Sequence, residues 1–126
     1  MVLFRRSRYL LLALSLLAAC RPASAGNGTV VNGVGDAERG RRLASSKGCG
    51  ACHTIPGVAD ADGTIGPPLA HWARHSFIAG VEPNTASQLQ HWILHPQAVK
   101  PGVAMPELAL TNSDAADIAA FLFSRR

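Results

Sequence analysis

Apolar and polar positions divide this chain into one long apolar run and two spaced apolar groups, with a charge-ordered segment between them. The run covers residues 9–19, interrupted only by Ser15, and follows Arg5, Arg6 and Arg8. It falls well short of the ~20 residues that a transmembrane helix needs, so residues 1–19 read as a secretory signal peptide. Beyond it, residues 21–35 are rich in Gly, Ala, Asn and Val, have no period and carry no charge after Arg21, the composition of a flexible linker. Over residues 36–44 acids come first and bases follow, as a helix dipole favours, and Gly48 can end that helix. Gly40 inside it costs ~1 kcal/mol relative to alanine. A close crossing by another helix, where a side chain would clash, accounts for Gly40 better than a tolerated weak spot does.

The first spaced group, Leu89, Trp92 and Ile93, predicts a short helix over residues 85–94 that Pro96 stops. The second, Ile118, Phe121 and Leu122, predicts a helix over residues 111–124, capped by Thr111 with Asp114 three residues on in a capping-box arrangement. This last helix is expected to cross the first over Gly40. The intervening segments, residues 54–63 and 96–106, are turn-rich, and the second has the prolines and glycine of an ordered loop.

The chemistry lies between the helices, in Cys49-Gly50-Ala51-Cys52-His53. Two cysteines at this spacing can each add to a vinyl group of protohaem, and the next histidine can bind the iron from the same side, so this is a c-type haem attachment motif. A zinc site would need four ligands, a redox dithiol needs no adjoining histidine, and an accidental pair in an exported chain predicts a disulfide. In Gly66-Pro67-Pro68-Leu69 the Pro67 carbonyl can accept the Nδ1 proton of the haem histidine and hold Nε2 toward the iron; a plain proline turn explains the same residues equally well. For the second axial position Met105 competes with His71, His75, His91 and His95. It is the only methionine besides the initiator and is presented by a Pro-Gly-x-x-Met spacing, whereas the histidines are scattered. A soft thioether ligand raises the potential relative to two histidines.

Taken in order, the glycine-bearing helix, C-x-x-C-H, Gly-Pro-x-Leu, short helix, Pro-Gly-x-x-Met and aromatic terminal helix resemble class I cytochrome c over residues 36–126. Ile78-Ala79-Gly80, Pro83-Asn84-Thr85, Trp92-Ile93, His95-Pro96-Gln97 and Lys100-Pro101-Gly102 through Met105-Pro106 are most similar to the cytochrome domain fused to subunit II of some haem-copper oxidases. The resemblance does not extend to that subunit's copper-binding domain or membrane hairpin. It implies an all-α small cytochrome c fold of about three to five helices around one covalent haem c. It further implies His53 and Met105 as axial ligands of the iron, Pro67 as the acceptor for His53, and Arg74 and Trp92 near a haem propionate.

Composition and charge sharpen this in two ways. The chain has 126 residues, 48% hydrophobic and 6% aromatic, enough for one domain with a small core, so a haem would form much of that core. The formal charge is +4 with twelve basic residues, but Arg5, Arg6 and Arg8 lie in the signal segment. Nine basic against eight acidic residues remain, and two ionised propionates would bring the protein to about −1. That balance gives no support to nucleic-acid binding.

The third cysteine bears on location. Leu17-Ala18-Ala19-Cys20 resembles a bacterial lipobox, while Ala23-Ser24-Ala25 fits ordinary signal peptidase. An unpaired exported thiol would remain unless Cys20 is lipidated or discarded with the signal, and lipidation is the preferred reading. The expected divisions are a lipoprotein-type signal over 1–19, a linker over 20–35 anchored at Cys20, and a domain over 36–126. A tether of ~15 residues reaches about 20 Å, which would hold a monomeric domain at the periplasmic face of the bacterial inner membrane. Arg5-Arg6 can be mistaken for a twin-arginine signal, but c-type haem is attached after export of an unfolded chain, which favours the general secretory route.

Three function classes compete. Iron with both axial positions filled can pass one electron but offers no place for a substrate, so the expectation is an electron carrier, not an enzyme, passing electrons to a terminal oxidase in a respiratory chain. A periplasmic dehydrogenase as redox partner is the alternative. A peroxidase-like enzyme or a sensor would need a vacant distal position.

Overall fold

A computed structural model describes residues 35–125; Cys20 and the signal and linker boundaries lie outside the described residues. Asp36 serves as a helix cap. Its carboxylate accepts from the N–H groups of Glu38 and Arg39, both at 2.9 Å, which satisfies two of the donors a helix start leaves open. Helix α1 (Ala37–Ser46) follows, and Gly48 at φ +75° takes the chain out of it. At the other end Thr111 caps α4 (Asn112–Phe123) in a full capping box: the Asp114 N–H donates to the Thr111 hydroxyl and the Thr111 N–H to Asp114.

These two helices cross face to face. Gly40 and Ala44 are the buried positions of α1, and a Cβ added to Gly40 would overlap the Asp117 carbonyl oxygen. The crossing expected over Gly40 is therefore present, and its closeness needs the missing side chain. The Ile118 backbone nitrogen lies against the same position, 2.9 Å from where that Cβ would stand. Polar groups tie the same contact at its rim. Arg39 donates to Ser113 and Asp114 and its Nη1 lies 2.6 Å from Asp117 Oδ2, while the Asp36 N–H donates to Asp117 Oδ1 at 2.7 Å.

Helix α2 (Ala86–Leu94), capped by the Thr85 hydroxyl, lays Leu89, Trp92 and Ile93 against α4. Pro96 does stop it, but the segment that follows is not all loop. Pro96 is the first residue of a short helix α3 (Pro96–Val99), a position where its missing N–H removes no hydrogen bond. Two other features depart from the sequence-based expectation. Phe77–Ile78 (β1) and Glu82–Pro83 (β2) form a small antiparallel pair, Phe77 opposite Pro83, and 3-10 turns occupy Cys49–Ala51 and Trp72–Arg74. The fold remains mostly helical, with four helices among the described residues. None of those helices is long and apolar enough to cross a membrane.

Candidate functional site

Between α1 and the loop after it, the pentapeptide is shaped by glycines. Gly48 releases the chain from α1, and the 3-10 turn that follows brings the His53 and Cys52 N–H groups onto the Cys49 carbonyl at 3.0 and 3.2 Å. Gly50 lies against Ala61, where a Cβ would stand 2.7 Å from the Ala61 Cα. The segment read as irregular, residues 54–63, is thus an ordered clamp: Ile55 is 2% exposed and its N–H bonds Ala61 O at 2.9 Å.

His53 is held by the next segment. Its Nδ1 lies 2.7 Å from the Pro67 carbonyl oxygen. A carbonyl only accepts, so Nδ1 donates here, and in the neutral ring the lone pair is then on Nε2. Gly66 packs flat on the ring, where an added Cβ would overlap the imidazole, and the Gly66 N–H bonds Cys52 O at 2.8 Å, fixing the two segments side by side.

Six of the residues singled out from sequence, Cys49, Cys52, His53, Pro67, Trp92 and Met105, line one cavity of about 340 Å³. Its remaining wall is almost wholly apolar, with Leu89, Ile93, Ile118 and Leu122 among the residues closing it from α2 and α4. A second, more polar hollow of about 370 Å³ on the surface, at Pro56, His71 and Arg125 among others, gathers none of the six. Arg74 is not part of the cavity wall. It is an exposed residue of the second 3-10 turn, and the residue of that turn that does reach the cavity is Trp72.

Trp72 was not singled out from sequence. Its ring is 6% exposed, and its indole Nε1–H is buried without a hydrogen-bond partner, a cost of ~1–3 kcal/mol unless an acceptor is supplied. The donor set and the walls agree on the kind of occupant. Burial pushes the Cys49 thiol above its ordinary pKa, opposite to the depressed value that makes a redox dithiol reactive. Cys49 and Cys52 are not joined to each other. Among the described residues no group of three or more His, Cys, Asp or Glu side chains is arranged to hold a metal ion. A large, flat, mostly apolar group that carries its own metal, takes one nitrogen and one sulfur ligand, accepts two thiols and offers a carboxylate to an indole N–H fits every one of these groups.

Comparison with known proteins agrees with that description. Residues 37–125 match the family model for cytochrome c. Cytochrome c oxidase subunit 2 of Alkalihalophilus pseudofirmus is 33% identical over 70 residues, which cover 56% of this chain and 20% of that protein.

Proposed function

This chain belongs to the cytochrome c family, and from that premise we propose that His53 and Met105 are the axial ligands of its haem iron and that a terminal oxidase takes its electron. Membership makes the cofactor a covalently held haem c with its iron, and the role electron transfer with redox partners rather than catalysis on a substrate. The attachment points are Cys49 and Cys52, through thioether bonds to their sulfurs. The observation that carries the ligand reading is the contact between His53 Nδ1 and Pro67 O. It commits the ring to one tautomer and leaves Nε2 basic and oriented, as a metal-ligating histidine requires. Met105 supplies the thioether to the same cavity, and Trp72 Nε1 is available to a haem carboxylate.

When bound, the haem supplies a one-electron couple, and the residues around it set how that couple behaves. Apolar walls from α2 and α4 exclude water and disfavour the extra positive charge of the oxidised iron. A thioether does the same from the distal side, so the pair of ligands favours a potential above that of bis-histidine iron. With both axial positions filled there is no site for a substrate, which supports a carrier. The similarity to an oxidase subunit supports the oxidase as acceptor, and the lipobox at Cys20 supports a tether at the periplasmic face of the membrane. Cys20→Ser is expected to move the protein from membrane to soluble fractions.

Met105→Ala tests the ligand reading. The oxidised wild type should show the weak sulfur-to-iron band at the red end of the visible spectrum, and the variant should lose it and have a lower potential. A spectrum unchanged by the substitution would transfer the distal role to a histidine.

A further inference from the structure

One side chain holds the loop that carries Met105. Gln97 belongs to α3, whose first residue, Pro96, is fully buried. Its Nε2 donates to the carbonyls of Val103 at 2.5 Å and Met105 at 3.2 Å, and its Oε1 accepts from the Gly102 N–H at 3.1 Å. Gly102 stands at φ +81° in a turn closed by the Val103 N–H on Lys100 O at 3.3 Å. No helix or strand ladder runs through residues 102–105, so only side chains, turns or water can fix their backbone groups. A primary amide is the side chain that offers two donors and an acceptor at one end. On the far side, Lys100 Nζ donates to Ala79 O at 3.0 Å, tying the start of the loop to the β1–β2 turn.

The geometry points to Gln97 as the positioning residue for Met105: its carboxamide templates the backbone of residues 102–105 and so keeps the thioether facing the cavity. The inference rests on Met105 being an axial ligand and deepens it by naming what retains the ligand. A thioether is neutral and binds iron weakly, so its retention depends on how firmly the protein has already placed it. If the loop opens more often, the fraction of iron open to an outside ligand rises, and the apparent affinity for that ligand rises by the same factor.

Imidazole, added to the oxidised holoprotein, serves as the outside ligand. Gln97→Ala is expected to bind it at least tenfold more tightly than the wild type, with a weaker sulfur-to-iron band and covalent haem retained. Gln97→Glu keeps the size and the acceptor for Gly102 but turns carboxylate oxygens toward two carbonyls, and should do the same; it also serves if the alanine variant folds poorly. Amide exchange at Val103, whose N–H bonds Lys100 O and not Gln97, reads the loop whatever ligates the iron, and should quicken in both variants. Wild-type imidazole affinity in Gln97→Glu, or faster exchange with an unchanged affinity, overturns the positioning role alone. A sulfur-to-iron band that survives Met105→Ala overturns the ligand reading and this inference with it.

Discussion

Gly66 has no side chain because the His53 ring lies where one would be. A Cβ there would stand 2.7 Å from Nδ1 and overlap the neighbouring ring carbon, so the ring would have to tilt out of line with Pro67 O. Gly66→Ala is therefore expected to lower the haem-to-protein ratio of purified material and to disturb the visible spectrum, although the change adds one methyl group. A variant with full haem content and the wild-type spectrum would mean that the ring orientation is set elsewhere. At this scale the candidate ligands could be named from sequence, because they depend on residue identity and short spacing: two cysteines and a histidine within five residues, and a single internal methionine. The place of Trp72 in the cavity wall was not legible there. A 3-10 turn rotates successive side chains by about 120°, and the one that faces inward is selected by how the turn docks. Here the Asn84 side-chain amide pins it through Trp72 O and His75 O at 3.0 and 2.9 Å.

Among the elements, the α1–α4 crossing decides how the two ends of the domain are held. Gly40→Ala would gain ~1 kcal/mol of helix propensity. It would also force a methyl group into the Asp117 carbonyl, and overpacking of this kind costs ~1–3 kcal/mol or more when backbone must give way. The clash should win, so thermal unfolding of the holoprotein is expected several degrees below the wild type; an equal or higher midpoint would show that the helices can part without cost. The capping box adds a pH dependence. Hydrogen bonds from Thr111, helped by the Arg39 guanidinium, hold the Asp114 carboxyl below its ordinary pKa. A group lowered on folding contributes its full stabilisation above its unfolded pKa and loses it as pH falls through the folded value. The melting advantage of wild type over Asp114→Asn should therefore be constant above about pH 5 and shrink below the ordinary value of 3.8. An advantage that persists undiminished at pH 2 would contradict it. The helices themselves were legible from caps and apolar spacing, whereas α3 and the β1–β2 pair were not: four-residue and two-residue elements carry too little periodicity to register.

For the whole molecule, the cavity assembles from segments that are far apart in the chain, and its charge sets how it meets a partner. Counted over residues 20–126, there are nine basic and eight acidic residues, and two propionates bring that balance to about −1. Such a carrier gains little from long-range steering. Stopped-flow oxidation of the reduced protein by a purified terminal oxidase is expected to be fast and to change only modestly with ionic strength. Slow oxidation by the oxidase, beside rapid reduction by a periplasmic dehydrogenase, would move the protein to a different redox chain without altering its haem chemistry. A steep salt dependence would mean that a local charged patch, not the net balance, governs docking.

The sequence by itself determined the cofactor class, the pentapeptide that is the candidate to take it, the helix ends and the need for a close crossing at Gly40, because each follows from residue chemistry within a few positions or from a period along one element. Tertiary structure alone decided which groups converge. Pro67 reached Nδ1 of His53 where a plain turn was equally consistent with the sequence, Trp72 joined the cavity wall, and Gln97 closed on three backbone groups of the methionine loop. Those outcomes depend on distances between segments that have no fixed relation until the chain has packed, and no local pattern encodes them.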